Sequence, residues 1–534
     1  MKAFKNIIRY TLVVVILFQV TSCGEDFMDR PPEDALVLDN FFRTEDQINA
    51  GTASLYGFPW FTLNDKALWC IGDAMSGNYW TADGDNGQFF TFGVNQNNPH
   101  LFEAWESLFR VIAYANYIIN FMPEQVPAEI SRELVNRAKA EGHFMRATAY
   151  FYMVRLFGAV PIIEDHRKHF SNPILPKHRE EDIYTLIVRD LTFASEHLAP
   201  SYSGRNAGRV TSWAAKAQLA KVYLTIKDYP KAREFAQDVI QNSGRNLMPN
   251  YEDLFKSVNN NNSESLFALQ WMACVDWGTQ NTNQAYLARN SLLTGVGDGW
   301  GGWSGATIDL QNDFETGDRR RKATYMQYGD FYPELQSAQG GYRYDIVNDV
   351  EGRSPTLTHV KKYVVGNPAD NDGKVCFMST DINTYMIRLA DAYLTYVEAA
   401  IGDGESTSDG QALQYFNAIR SRAGLPSKTS VTYLELLKER RTEFAFESQY
   451  WYDLLRYYNR NPQAALDMIN NQERGQYNEK DDWDDSENDP DAWELAPRKY
   501  TITESRIKLP IPTRDVDQNP NLAPNVPAEA YDFQ

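Results

Sequence analysis

Apolar residues recur at helical spacing in three long stretches of the chain. In the first, Ala140, Phe144, Ala147, Phe151 and Val154 step by four, three, four and three. Met145, Ala149, Tyr152 and Leu156 form a second stripe beside them. Two adjoining stripes predict a helix packed on more than one side, stopped by Gly158 and Pro161. The second stretch, TSWAAKAQLAKVYLTIKDYPKAREFAQDVI, keeps Trp213, Ala217, Ala220 and Leu224 in register, with Thr211 or Ser212 as N-cap. KDYP turns the chain, and Lys231 to Ile240 reads as an antiparallel partner helix. In the third, RLADAYLTYVEAAIGDG, Leu389, Ala392, Tyr396 and Ala399 step by three, four and three. ALQYFNAIRSRAGLP and YLELLKERRTEFAFESQYWYDLLRYY follow.

Small Ala facing Tyr and Leu, with a short turn between two helices, is the packing style of tetratricopeptide pairs. The pairs are irregularly spaced, so a simple solenoid with one fixed period is excluded. The pattern predicts a mostly α fold: a helix-pair scaffold over about 37–246 and 382–534, interrupted by a loop-rich insertion over about 247–381. That insertion holds a few short strands. ESLFALQW alternates like one, and Gly, Asn, Trp and Tyr are frequent around it. Loops on a rigid scaffold are where binding surfaces usually lie.

The N-terminus has a different pattern. Lys2, Lys5 and Arg9 precede the apolar run Tyr10 to Val20, which is broken only by Thr11 and Gln19. A run of about eleven residues is too short to span a bilayer and suits a secretion signal. Val20, Thr21 and Ser22 then lead into Cys23, an aliphatic and two small residues before a cysteine, as in a bacterial lipobox. The expectation is a signal peptide at 1–22, a diacylglyceryl-bearing Cys23 and an acidic, proline-containing tether at 23–36. An ordinary secretion signal with an incidental Cys23 is the alternative. No other segment approaches the roughly 18 uninterrupted apolar residues of a membrane helix.

Charge and motifs narrow the function. The formal net charge is −19, opposite to the basic footprint of nucleic-acid binders, so no nucleic-acid partner is expected. Cys70, Cys274 and Cys376 are odd in number and lack zinc-ligand spacing, and each reads as a small buried side chain. DGDNG (Asp83 to Gly87) lacks the downstream Glu of an EF-hand and reads as a surface turn, with structural calcium the lesser alternative. His166 and His169 in HRKH have no third ligand nearby, so no metal or cofactor site is assigned. The acidic stretch Glu479 to Glu494 reads as a solvated loop. Glu439, Arg440, Arg441 and Glu443, with Arg388 and Asp391, read as i,i+3 and i,i+4 pairs and partly buried ion pairs between helices. GxSxG, HExxH, P-loop and Rossmann fingerprints are missing.

Six blocks carry a family resemblance: RAKAEGHFMRATAYFYMVRLFGAVPII, GRVTSWAAKAQLAKVYLTIKDYPKA, IRLADAYLTYVEA, IRSRAGLP, LKERRTEFAFESQYWYDLLR and LPIPTRDVDQNPNL. In this order, behind a lipobox, they resemble the SusD/RagB family of outer-membrane lipoproteins of the Bacteroidetes over nearly the whole chain. The resemblance implies four tetratricopeptide-like helix pairs with a variable insertion. It also implies a lipid anchor on Cys23, a position facing the cell exterior, a SusC-like TonB-dependent transporter as partner, and capture of a polymer for uptake. That polymer is usually a glycan, and peptides are the alternative cargo. No enzyme activity is implied, a surface glycosidase being the more remote reading.

A sugar presents a polar rim and an apolar C–H face that a flat Trp or Tyr can cover while Asp, Asn or Arg bond the hydroxyls. Three stretches offer such rings. GDAMSGNYWTADGDNG holds Tyr79 and Trp80 with Asp73 and Asn78 beside them; WMACVDWGTQNTNQ holds Trp277; GDGWGGWSG holds Trp300 and Trp303. The glycines of the last are expected to leave its rings uncovered and let a ligand approach the backbone. Trp105, Trp213 and Trp451 lie in helical blocks and read as structural. Tyr325, Tyr328 and Tyr332 are weaker candidates.

Overall fold

The computed structural model describes residues 41–347, 353–480 and 488–533. The expected signal peptide, Cys23, the expected tether and residues 481–487 of the acidic stretch lie outside the described residues. Among the described residues no helix is long and apolar enough to cross a membrane.

The long helices are α1 (Glu45–Ala53), α2 (Pro99–Asn116), α3 (Arg132–Phe157), α4 (Glu180–His197), α5 (Ser212–Thr225), α6 (Tyr229–Asn242), α7 (Leu389–Ile401), α8 (Gly410–Ala423), α9 (Tyr433–Phe444), α10 (Tyr450–Arg460) and α11 (Pro462–Asn471). Both apolar stripes of α3 are buried. Its ends are set by Ser131, whose hydroxyl accepts from the Leu134 N–H, and by Gly158 at φ +74°. Thr211 caps α5 by accepting from the Ala214 N–H at 3.2 Å. Four pairs form in chain order: α3 with α4, α5 with α6, α7 with α8, and α9 with α10. Although the insertion separates α6 from α7 in sequence, α7 packs directly on α6, so the stack of pairs continues past it.

The strands are short. Those used below are β1 (Tyr79–Thr81), β2 (Ser265–Leu269), β3 (Ser304–Ala306), β4 (Val375–Cys376), β5 (Ser379–Thr380) and β6 (Thr384–Arg388). β2 pairs antiparallel with β6, which runs straight into α7. The alternation in ESLFALQW predicts a half-exposed strand, but every residue of β2 is buried, because the insertion covers the face that would otherwise be wet.

Charged side chains lock the insertion to the scaffold. Arg388 donates to Glu264 (2.6 Å), to Glu443 Oε1 (2.8 Å) and O (2.9 Å), and to Glu447 (2.6 and 2.8 Å). Arg422 pairs with Glu264 and Glu443, Arg320 with Asp318, Glu439 and Glu443, and Lys362 with Glu447. Arg440 bridges Asp391 and Asp453. The dense charges thus make the expected ion pairs between helices, in a buried seam that also reaches the insertion, rather than i,i+3 and i,i+4 pairs among themselves. These side chains are almost fully buried, where a charge has to be paired; the ion pairs supply that, although Arg422 Nε and Arg440 Nε and Nη1 find no hydrogen-bond partner. Burial alone would raise the Glu443 carboxyl, but the guanidiniums of Arg422, Arg388 and Arg320 outweigh it and hold it down to about 2.

Candidate ligand-binding surface

The structure separates the aromatic candidates into two groups. Tyr79 and Trp80 form β1 and are buried: Tyr79 packs edge-on to Trp69 (5.1 Å) and Phe446 (6.2 Å), and Trp80 lies against Phe90. Asp73 is buried beneath them. Its carboxylate accepts from the Asn78 side chain (3.1 Å), the Phe446 and Ser448 N–H groups (2.9 Å each) and the Ser448 hydroxyl (3.1 Å). Burial pushes this carboxyl up to about 6 against those bonds. Asn78 in turn accepts from Arg441 at 2.9 Å. These four residues, expected at the ligand, hold the loop before β1 to the α9–α10 connection and offer no face on which a sugar could stack.

Trp277, Trp300 and Trp303 stand in solvent, 60%, 49% and 67% exposed. Trp300 rests at 5.6 Å on Tyr286 and meets Phe377 edge-on at 5.8 Å. Trp277 stands edge-on to Phe61 at 5.3 Å. The next residue, Gly278, packs against Phe58, which lies 6.5 Å from Tyr114. Phe58, Tyr286 and Phe377 belong to no motif and were not among the sequence candidates. The one local hint is the aromatic density of YGFPWF around Phe58. Charged groups border the rings. Lys66 sits 4.7 Å over Tyr286, Arg110 5.9 Å over Phe58, and the Tyr286 hydroxyl reaches Asp65 at 3.5 Å. Burial raises the Asp65 carboxyl.

The glycines around Trp300 act differently from expectation. Gly299 adopts φ +103°, and a Cβ there would lie 2.5 Å from the Asn290 carbonyl. At Gly301 a Cβ would lie 2.4 Å from the Leu287 oxygen. They let the loop press onto chain 285–291, where the Trp300 N–H donates to Ala285 O and the Gly301 N–H to Ala288 O, both at 2.8 Å. The ring is displayed because its backbone is sunk. β3 follows Trp303 and pairs with β1, Trp80 opposite Gly305, so the first and third aromatic stretches are neighbours.

A disulfide joins the second stretch to this group. Cys274 and Cys376 are bonded, with Cα atoms 5.5 Å apart, and Cys70 alone among the described cysteines is free and buried. The odd cysteine count excluded complete pairing but not this pair, whose members lie 102 residues apart and meet only in the fold. Tyr325 and Tyr332 are buried, and Tyr328 is exposed. Trp105 and Trp451 are core residues, while Trp213 is half-buried with Lys216 over its ring. DGDNG opens the helical turn Gly84–Phe90, where the Asn86 amide donates to Asp83. Among the described residues no group of three or more His, Cys, Asp or Glu could hold a metal ion.

Comparison with known proteins gives this surface a family. The model of the SusD family matches residues 237–527, and one described as starch-binding and associating with the outer membrane matches residues 26–224. A SusD-like protein of Bacteroides ovatus is 38% identical over 96% of each chain. The chain belongs to the SusD family. The starch-binding protein SusD of Bacteroides thetaiotaomicron is 27% identical over 76% of this chain and 75% of its own. A crystal structure solved with a xylogluco-oligosaccharide is 37% identical, covers 91% of this chain and 99% of its own, and superposes with a TM-score of 0.82. The helix-pair stack and the loop-rich insertion are thus the SusD fold.

Proposed function

We propose that this SusD-family protein captures an oligo- or polysaccharide on its exposed aromatic face and performs no chemistry on it. It is held at the outer face of the outer membrane by lipid on Cys23 and delivers its cargo to a SusC-like TonB-dependent transporter. The observation that carries the reading is the exposure of Trp300 on Tyr286 and Phe377 and of Trp277 on Phe61, in loops that the Cys274–Cys376 bond joins. Soluble proteins rarely leave such rings in water without a partner for them. Each ring can cover about 50–80 Å² of a sugar's C–H face, contributing roughly 1–2 kcal/mol. Two or three stacked sugars would then bind in about the micromolar to millimolar range, loose enough for release to a transporter. The relative solved with a xylogluco-oligosaccharide makes xyloglucan the first ligand to try.

Isothermal titration against xyloglucan, starch, laminarin and a set of peptides tests the reading. Binding of at least one glycan is expected, with loss in the double variant Trp277→Ala/Trp300→Ala and a melting temperature within a few degrees of the parent. Tight peptide binding with no glycan binding would refute it. Incubation with the bound glycan, followed by product analysis, is expected to return the glycan intact.

A further inference from the structure

The exposed rings sit on three separate pieces of chain. Trp277 is carried by the loop between Trp271 and Gln280. Phe377 is at the tip of the β4–β5 hairpin. Trp300 follows Val296–Gly299. The hairpin is tied to the Trp300 loop by the Met378 N–H, which donates to Asp298 at 2.6 Å, and by the edge contact of Phe377 on Trp300. The Trp277 loop meets the hairpin at two places. At the base, Asn281 and Thr380 exchange backbone hydrogen bonds of 3.0 Å. Towards the tip, the Cys274 N–H donates to Ser379 Oγ at 2.8 Å, and the Cys274–Cys376 bond closes the contact. Around that bond, Met272, Val275, Trp277 and Phe377 are each more than half exposed, so apart from the edge contacts of Trp277 on Phe61 and Phe377 on Trp300 and the Met272 N–H to Thr279 O bond, little holds the tip together. Cys274 also adopts φ +61°, a region that a non-glycine residue occupies only when its surroundings enforce it.

We infer that the Cys274–Cys376 disulfide is a positioning clamp for the ligand surface, fixing the distance between Trp277 and Trp300 so that one glycan chain can lie across both. This rests on the reading of that surface as glycan-binding. A covalent link adds no contact to the sugar. It removes the disorder of the Trp277 loop that binding would otherwise have to suppress, which is the general source of affinity from preorganisation. The clamp should therefore matter for ligands that bridge the two rings and leave single-ring binding unchanged. Cys274 is exposed and Cys376 half-buried, so a small reductant can reach the bond in the folded protein.

The test compares the oxidised protein with Cys274→Ser/Cys376→Ser. A second sample is parent protein treated with dithiothreitol, which gives two electrons and two protons to the S–S bond and leaves as its cyclic disulfide. The resulting thiols are then alkylated, so a reduced form is available even if the double variant folds poorly. Two readouts are taken well below the melting temperature: amide hydrogen exchange over 272–280 and 375–379, and the affinity for xyloglucan oligosaccharides of one and several repeats. Opening the bond is expected to speed exchange in both segments and to weaken the long probe about tenfold while the short one is unchanged. Unchanged exchange, or equal weakening of long and short probes, overturns the clamp. If xyloglucan fails to bind the oxidised protein, exchange alone decides. Retained binding in Trp277→Ala/Trp300→Ala would instead sink the reading of the surface and leave the exchange result standing.

Discussion

The strand carrying Tyr79 and Trp80 and the loop carrying Trp300 and Trp303 are alike in sequence and opposite in fate. Both are short, glycine-bearing and rich in Trp, Asn or Asp, and the structure sets them side by side through the β1–β3 pair. β1 is covered by Trp69, Phe90 and Phe446, and Asp73, Asn78 and Arg441 staple it from below. The Trp300 loop sinks its glycines instead and leaves its rings outside. What separates the buried aromatic strand from the exposed aromatic loop is thus which neighbours cover the rings, together with the glycines that sink the loop backbone.

Substitutions can break this contrast. Trp80→Ala has the largest expected effect: a buried indole is lost, and stability should fall by about 3–5 kcal/mol, read as a lower midpoint in urea. The charged seam between insertion and scaffold responds to acid. Glu443 has a folded-state value of about 2, below its ordinary 4.5, so its contribution is fully present above pH 4.5 and is lost as pH falls towards 2. Between those limits roughly 3 kcal/mol should disappear in a series of urea titrations. Glu443→Gln should flatten that segment of the pH profile. Trp277→Ala or Trp300→Ala should cost about 1–2 kcal/mol of glycan affinity by titration calorimetry, and stability should change by only about 0.5 kcal/mol. Trp303→Ala should cost less than about 1 kcal/mol of affinity. Its size sharpens the comparison by showing how far the binding row extends beyond Trp300.

The helix pairs were legible because their signals are local: a 3.6-residue period, a Thr cap and a Gly stop decide α3 and α5 without reference to the rest of the chain. The surface was legible only in part. Trp277, Trp300 and Trp303 could be picked out, but so were Tyr79 and Trp80, since exposure is decided by side chains hundreds of residues away, such as Phe446. Phe58 and Phe377 left no motif at all. The disulfide escaped for the same reason, its two halves being joined by nothing in their own neighbourhoods. The dense charges of ERRTEFAFES were recognised as structural, yet several of their partners (Arg320, Lys362, Asp309 and Asp313) lie in the insertion, beyond the reach of helical spacing.

The stacking of α7 on α6 across the insertion bears on how far that segment can be replaced. The helix stack closes over the place where the insertion leaves and returns, so loops of that segment outside the seam are expected to tolerate replacement without rebuilding the helices. The seam restricts the replacement. A replaced segment without counterparts of Glu264, Arg320 and Lys362 would leave Arg388, Arg422, Glu443 and Glu447 paired only among themselves and short of their remaining buried partners. Replacement of the whole segment together with its charged roots is therefore expected to cost less stability than replacement that omits them.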